Sequence, residues 1–315
     1  MKRIISVFVI ISLMICLMPS CGKKKEYPVT INGVEITSAP TKIVSLSPSF
    51  TDIIFLLGYE SLLVGISDRC DYEEAKTLTR CGTSSSPEVD IIIALGTNLV
   101  LADRELPPDA VKRLNASDVL VLSLNNATNH SELKELYTNI GSALGGKVTG
   151  SAHGRNVATI LLDTLDDIGR TAFGATEYKT VLYMDDLDGK KIATGDTFLG
   201  YVFNCCNINN AADSCTDWQF DKEFIAIADP DVIFCKKGIG YDLRRSTQFA
   251  NIKAIKSRDV YEIDEMWLEK QGSTLISLAK FIVESTYPEV DTPYIPPIED
   301  TIEKDEQELI EEQQN

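Results

Sequence analysis

Two stretches of twelve residues in this chain match without a gap. Residues 90–101 read DIIIALGTNLVL and residues 223–234 read EFIAIADPDVIF. In each, an acid opens a short apolar segment, a turn follows at Gly96 or at Asp229 and Pro230, and an aliphatic run closes the unit. The pattern predicts a short helix, a tight turn and a buried strand. A strand apolar along its whole length is covered on both faces, which is the environment of a parallel sheet. An acid in a first helical turn gains a few tenths of a kcal/mol from the helix dipole, so Asp90 and Glu223 have a purely local explanation. Their matching offsets nevertheless give each half of the chain one such acid, which predicts two carboxylates on one face of a two-lobed body.

The rest of the chain fits two lobes. Strand patterns at 43–47, 63–67 and 119–123 alternate with helix patterns near 50–58, after a turn at Pro48, and near 107–115 and 131–144. Ser49 is a candidate cap for the first helix, and VTINGVEI before it reads as one weak strand. An amphipathic run at 152–173 (Val157, Ile160, Leu161, Leu165, Ile168) predicts one long helix. The alternation then restarts with TVLYM, KIATG, a helix from Thr197, the second repeat unit, VYEI and a helix at 273–286. The fold class expected is α/β: two doubly wound lobes with mainly parallel sheets, joined by a single long rigid helix. The divisions are a signal peptide (1–20), a tether (21–41), an N-terminal lobe (42–150), a bridging helix (151–173), a C-terminal lobe (174–290) and an acidic tail (291–315). The tail's dense acids and few aromatics predict disorder.

The first twenty residues carry two cations, an apolar core and small or turn-forming residues, as an export signal does. Cys21 follows directly, and the segment resembles a bacterial lipoprotein signal, although Met18 and Pro19 depart from its usual residues. The resemblance implies lipidation of Cys21 and a protein tethered at the extracytoplasmic face of the cell membrane. Export permits disulfides; Cys70 and Cys81, eleven residues apart, are the preferred pair, and the connectivity among Cys205, Cys206, Cys215 and Cys235 is open. A net charge of -17 argues against nucleic acid. With no CxxC pair and only His130 and His153, no metal site is expected. No nucleophile elbow or phosphate loop is present, so an enzyme is not expected.

IVSLSPSFTDIIFLLG, VGISDRCDY, ALGTNLVLA, KIATGDTFLG and IADPDVIF, in this order and spacing, resemble the periplasmic-binding-protein family that serves vitamin B12, haem and ferric-siderophore ABC importers. SDRCDY resembles the corrinoid-binding branch in particular. The resemblance implies a monomer with a ligand held between the lobes, and one acid per lobe docking on the importer's permease, which works with its ATPase. Those acids are Asp90, shorter than the family's usual Glu, and Glu223.

Ligands in open α/β sheets sit outside the carboxyl ends of the strands. That places 47–50, 68–72, 83–86, Asp103 and Arg104 on one wall of the cleft, and 194–198, Trp218, Met266 and Trp267 on the other. Within these, Ser49, Phe50, Asp71, Tyr72, Ser84, Arg104, Thr197, Trp218 and Trp267 are the candidate ligand-binding residues. A flat macrocycle is held by aromatic area with a few polar anchors, which singles out Tyr72, Trp218 and Trp267. Three serines, Ser84 to Ser86, stand where the corrinoid branch often has an aromatic. Haem would call for a Tyr axial ligand such as Tyr72 or Tyr201, and an anionic siderophore for clustered cations, for which Arg69, Arg104 and Arg244 with Arg245 are the candidates. The preferred ligand is a corrinoid, with haem or a ferric siderophore as the alternatives. No bound cofactor is expected.

Overall fold

Aliphatic and β-branched runs form the strands of both lobes, and capping hydroxyls, prolines and glycines turn the chain between them. The computed structural model describes residues 25–292 except 176, 220, 221 and 291, together with Ile302. The export signal, Cys21 and all of the acidic tail but Thr292 and Ile302 lie outside the described residues.

The N-terminal lobe begins earlier than expected. VTINGVEI forms a hairpin and not one strand: β1 (Val29–Ile31) and β2 (Val34–Ile36) pair antiparallel about Asn32 and Gly33, both at positive φ, as a two-residue hairpin turn requires. The tether expected at 21–41 is therefore largely folded onto the lobe. Glu26 accepts hydrogen bonds from Val148 N, Thr149 N and Thr149 Oγ1, and Tyr27 donates to Ala143 O.

There follow β3 (Ile43–Ser45), α1 (Pro48–Leu56), β4 (Leu63–Ile66), β5 (Thr79–Arg80), a small hairpin of β6 (Gly82–Thr83) and β7 (Ser86–Pro87), α2 (Val89–Ala94), β8 (Leu99–Ala102), α3 (Pro108–Asn115), β9 (Leu120–Ser123) and α4 (His130–Gly145). The sheet runs β5-β4-β3-β8-β9, all parallel. Ser47, not Ser49, caps α1: its side chain accepts from Phe50 N at 3.4 Å, with Pro48 in the first turn where its missing N–H costs nothing.

One π-helical turn, Gly146–Gly150, connects α4 to α5 (Ser151–Thr171), the bridging helix. The two helices cross tightly: a Cβ on Gly154 would lie 2.9 Å from the carbonyl carbon of Tyr137.

The C-terminal lobe contains β10 (Thr180–Met184), α6 (Phe198–Cys205), β11 (Asn209–Asn210), α7 (Lys222–Ala228), β12 (Val232–Lys236), α8 (Gly240–Leu243), α9 (Lys253–Ser257), β13 (Val260–Ile263), α10 (Glu265–Glu269) and α11 (Thr274–Thr286). Its sheet is β11-β10-β12-β13, also parallel. KIATG adds no strand to it. Asp186 accepts from Lys190 N and Lys191 N, which folds the chain back on β10, and Ile192 makes a lone antiparallel bridge to Met184.

Apolar side chains gather in three clusters. One covers the outer face of each sheet; the third and largest runs from the inner face of the N-terminal sheet along α4 and α5 to α11 and the inner face of the C-terminal sheet. The bridge is thus more than a lone connector. Leu161, Leu165 and Ile168 on α5 are fully buried, and each contributes about 1.5–3 kcal/mol of burial. Cys70 belongs to this seam and Cys81 to the outer cluster of the same lobe. The two cysteines lie on opposite faces of one sheet, so the expected disulfide is absent and both are buried free thiols. The four cysteines of the C-terminal lobe are also free.

Candidate functional site

The carboxyl ends of both sheets face one gap. From the N-terminal lobe come residues 67–72 after β4, the tip of the β6–β7 hairpin, and Asp103 and Arg104 after β8. They surround a niche of about 90 Å³ lined by Ser67, Arg69, Thr83, Ser84, Ser85 and Arg104 among others. Ser84 is buried and structural: its Oγ donates to Leu46 O at 3.2 Å and accepts from Asp103 N at 3.4 Å.

From the C-terminal lobe come Asp185 and Lys191 beside β10, Lys236 and Lys237 after β12, and α10 after β13. Trp218 stands half-exposed with its ring centroid 6.3 Å from that of Tyr183 and Lys191 Nζ 5.4 Å from its centroid. Burial pushes the Tyr183 phenol far above its ordinary range, and the neighbouring Asp185 and Glu265 add to the shift. The Trp218 backbone is held at positive φ by its N–H bond to Thr194 Oγ1, a strained conformation for an aromatic residue.

Charge crosses the gap in pairs. Arg69 reaches Glu269 and Glu265 of α10, and Lys270 lies 2.6 Å from Asp71. On the C-terminal side Lys236 pairs with Glu265, Lys237 with Asp264 and Lys191 with Asp185; on the other, Arg104 pairs with Asp103. Six cations therefore meet six carboxylates. Burial raises the Glu269 carboxyl above its usual range despite the opposing pull of Arg69. The Lys237 hydrogen bond lowers that of Asp264.

Of the residues expected from the sequence, Arg104, Asp71 and Trp218 stand at this gap. Tyr72 is at its edge but stacks on Phe55 at 4.4 Å, with Lys270 Nζ 5.7 Å from its ring centre. Trp267 sits edge-on to Phe281 of α11 at 5.8 Å. All three expected aromatics, Tyr72, Trp218 and Trp267, are half-buried with one side of each against the seam.

Three further expected ligand residues are, like Ser84, taken up by the fold. Phe50 has no exposed surface and is part of the core. Ser49 is buried on α1, and its Oγ has no hydrogen-bond partner among the described residues. Thr197 caps α6, accepting from Gly200 N at 3.0 Å. Lys270, Glu265, Glu269 and Lys191 escaped the sequence reading. Their acidic and basic side chains follow no periodicity, and only the strand ends beside them marked the position. His130 and His153 are far from the gap in the fold, on α4 and on α5 facing Leu57 O.

Each repeat acid lies in the first turn of a helix that runs back along the sheet to the next strand. That turn is therefore at the carboxyl edge of its sheet, the edge that carries the gap. Asp90 on α2 is exposed and pairs with Arg113, and Glu223 on α7 is exposed. An exposed apolar residue follows each, Ile91 and Phe224, with Ile227 one turn on. A larger groove, about 1010 Å³, lies between Phe55, Tyr59, Tyr72, His153 and the buried Ile302.

Comparison with known proteins gives the same grouping. The family profile described as periplasmic binding protein matches residues 43–266. The chain is 30% identical over 279 residues to an uncharacterized ABC transporter substrate-binding lipoprotein, YvrC, of Bacillus subtilis, covering 85% of this chain and 88% of that one. It is 24% identical to the Fe(3+)-citrate-binding protein YfmC of the same species (80% and 82% covered) and to a vitamin B12-binding protein of Vibrio parahaemolyticus (77% and 88%). Among solved structures, the periplasmic heme-binding protein HutB of Vibrio cholerae superposes with a TM-score of 0.69 over 79% of this chain and 99% of that one. At 19% identity the last likeness is one of fold. No helix among the described residues is long and apolar enough to cross a membrane.

Proposed function

The chain belongs to the periplasmic-binding-protein family as a substrate-binding protein of an ABC transporter, and from that premise we propose that it captures a corrinoid between its lobes. The observation that carries this reading is the charge balance of the gap. A ferric citrate or anionic siderophore needs unmatched cations, whereas six cations at this site are each matched by a carboxylate and Arg80 is engaged by the carbonyls of Ser67 and Cys70. A macrocycle with neutral amide arms needs hydrogen-bonding groups and an aromatic face, which the Ser and Thr hydroxyls of the niche and Trp218 supply. The two histidines, His130 on α4 and His153 on α5, lie outside the strand-end loops that line the gap, so no histidine supports haem as an axial ligand.

Capture leads to delivery. Asp90 and Glu223, each beside an exposed apolar residue, dock the two lobes on the permease of the importer, where charge pairing sets orientation and on-rate. Residues 1–20 direct export, and Cys21, once lipidated, anchors a monomer at the outer face of the membrane. No chemical step is involved; the seam along α5 restricts opening to a small twist of the lobes.

The test mixes purified protein with cyanocobalamin, haemin and ferric citrate in turn and follows gel filtration by absorbance. Co-elution of cyanocobalamin alone is expected; co-elution of haemin or ferric citrate in its place overturns the corrinoid reading. The double variant Asp90→Ala with Glu223→Ala is expected to retain cyanocobalamin and lose uptake in cells. Loss of binding would assign these acids to the pocket.

A further inference from the structure

Asp52 is a fully buried carboxylate on α1 of the N-terminal lobe, and its hydrogen-bond donors belong to the other lobe. Gly272 N donates to Oδ2 at 3.0 Å and Ser273 Oγ to Oδ1 at 3.3 Å. These residues form the entry to α11, thirteen residues long, whose own N-cap residue Ser273 makes no capping bond within the helix. An anion at a helix N-terminus satisfies donors that the helix leaves open and is favoured by its dipole. Asp52 thus caps a helix of the opposite lobe.

The neighbouring residue is fixed the same way. Gln271 is buried; its Nε2 donates to Ala127 O at 2.7 Å, its Oε1 accepts from Ala127 N at 2.9 Å, and its carbonyl accepts from Tyr137 Oη at 2.7 Å. Ala127 and Tyr137 are both N-terminal-lobe residues. Gly272 leaves room for the carboxylate, since a Cβ there would be 2.5 Å from Asp52 Cγ. Immediately upstream, α10 and Lys270 carry the charges that meet Arg69 and Asp71 across the gap.

We propose that Asp52 is a positioning residue that sets the spacing of the two cleft walls, by clamping residues 271–273 to the N-terminal lobe and so fixing where α10 stands against Arg69 and Asp71. The lobes are then held at two places, the α5 seam and this clasp, and any twist pivots on the line between them. Burial raises the Asp52 carboxyl above its ordinary range, against the pull of Lys270 and the Gly272 N–H. The clasp's importance for binding rests on the gap being the ligand site; its mechanical role does not.

The test is hydrogen exchange by mass spectrometry on the full mature chain without ligand, comparing wild type with Asp52→Ala, Asp52→Asn and Gly272→Ala. A buried donor that loses its acceptor opens about tenfold more often. Exchange at residues 271–277 is therefore expected to rise roughly tenfold in Asp52→Ala and Gly272→Ala, and less in Asp52→Asn, which keeps its shape and one acceptor. Strands β3 and β12 should exchange at the wild-type rate. Unchanged exchange at 271–277 overturns the proposal, and so does a rise spread evenly over both lobes, which would make Asp52 an ordinary core residue. Asp52→Asn, the mildest change, decides the matter if the alanine variant does not fold. A separate measurement of cyanocobalamin affinity should show weakening in all three variants. If exchange responds as expected and cyanocobalamin does not bind even wild type, the clasp stands and only the ligand assignment fails.

Discussion

Replacing Gly154 by alanine opposes two effects of known sign. In the middle of a helix the substitution normally stabilises by about 1 kcal/mol, since alanine loses less backbone freedom on folding. Here the new methyl group would lie 2.9 Å from the Tyr137 carbonyl carbon and 3.3 Å from Thr138 Cα, with the Tyr137 oxygen closer still. All three are backbone atoms of α4, so no rotamer change relieves the contact and the helices must move apart. Overpacking of this kind costs about 1–3 kcal/mol, and rigid neighbours place it in the upper half of that range. The net expectation is a loss of about 1–2 kcal/mol, a fall in Tm of roughly 2–4 °C at some 2 °C per kcal/mol. Thermal unfolding followed by circular dichroism reads it directly. Gly174→Ala, whose Cβ would meet nothing within 4 Å, is the control and should leave Tm unchanged or slightly raised. A Gly154→Ala protein that melts higher than wild type, as helix propensity alone demands, would refute the close crossing of α4 and α5.

Other expectations concern the thiols, the tail and the tryptophans. Ellman's reagent at pH 8 should leave Cys70 and Cys81 unmodified in the folded protein and titrate both after denaturation without reductant; burial pushes the Cys81 thiol to about 11, so its thiolate becomes abundant only well above pH 8. A pair that needs reductant before it titrates would restore the disulfide. Ile302 is buried against the groove at Tyr59 and His153; Ile302→Asp should destabilise by about 1.5–3 kcal/mol, and an unaltered Tm would show that the contact contributes nothing. The chain has two tryptophans. Cyanocobalamin should quench the fluorescence of Trp267→Phe protein strongly and that of Trp218→Phe protein weakly, and the reverse order would move the ligand off the Trp218 face.

The lobes, their parallel sheets and the long helix were legible because each rests on local pattern. The twice-written unit gives α2 with β8 and α7 with β12, and the spacing of Val157, Leu161, Leu165 and Ile168 gives α5. What the pattern missed depends on residues far apart in the chain. KIATG has a strand's composition, yet Asp186 turns it back before it can join the sheet. Cys70 and Cys81 share a loop region by spacing, yet the strand between them puts them on opposite faces. Phe50 follows a strand end, but the seam absorbs its ring completely, and Trp267 is half-covered by Phe281 of α11, a residue that is not its neighbour in sequence. The clasp of Asp52 with Gly272 joins residues 220 apart; a lone acid in an apolar helix was its only trace. Around the gap, the strand ends point to Arg104, Asp71 and Trp218, but no pattern in the sequence points to the charge partners on α10.

The apolar seam also limits how such a protein can diversify. A bilobed carrier whose halves meet only through a linker is modular, and either half is interchangeable with a homologue's. Here the α5 residues belong to one cluster that reaches both sheets, so a change at Leu161 or its neighbours has to suit the packing of both lobes at once. Ligand preference is then free to drift through the surface loops around the gap, while grafting one half onto a foreign partner would leave a mismatched interior.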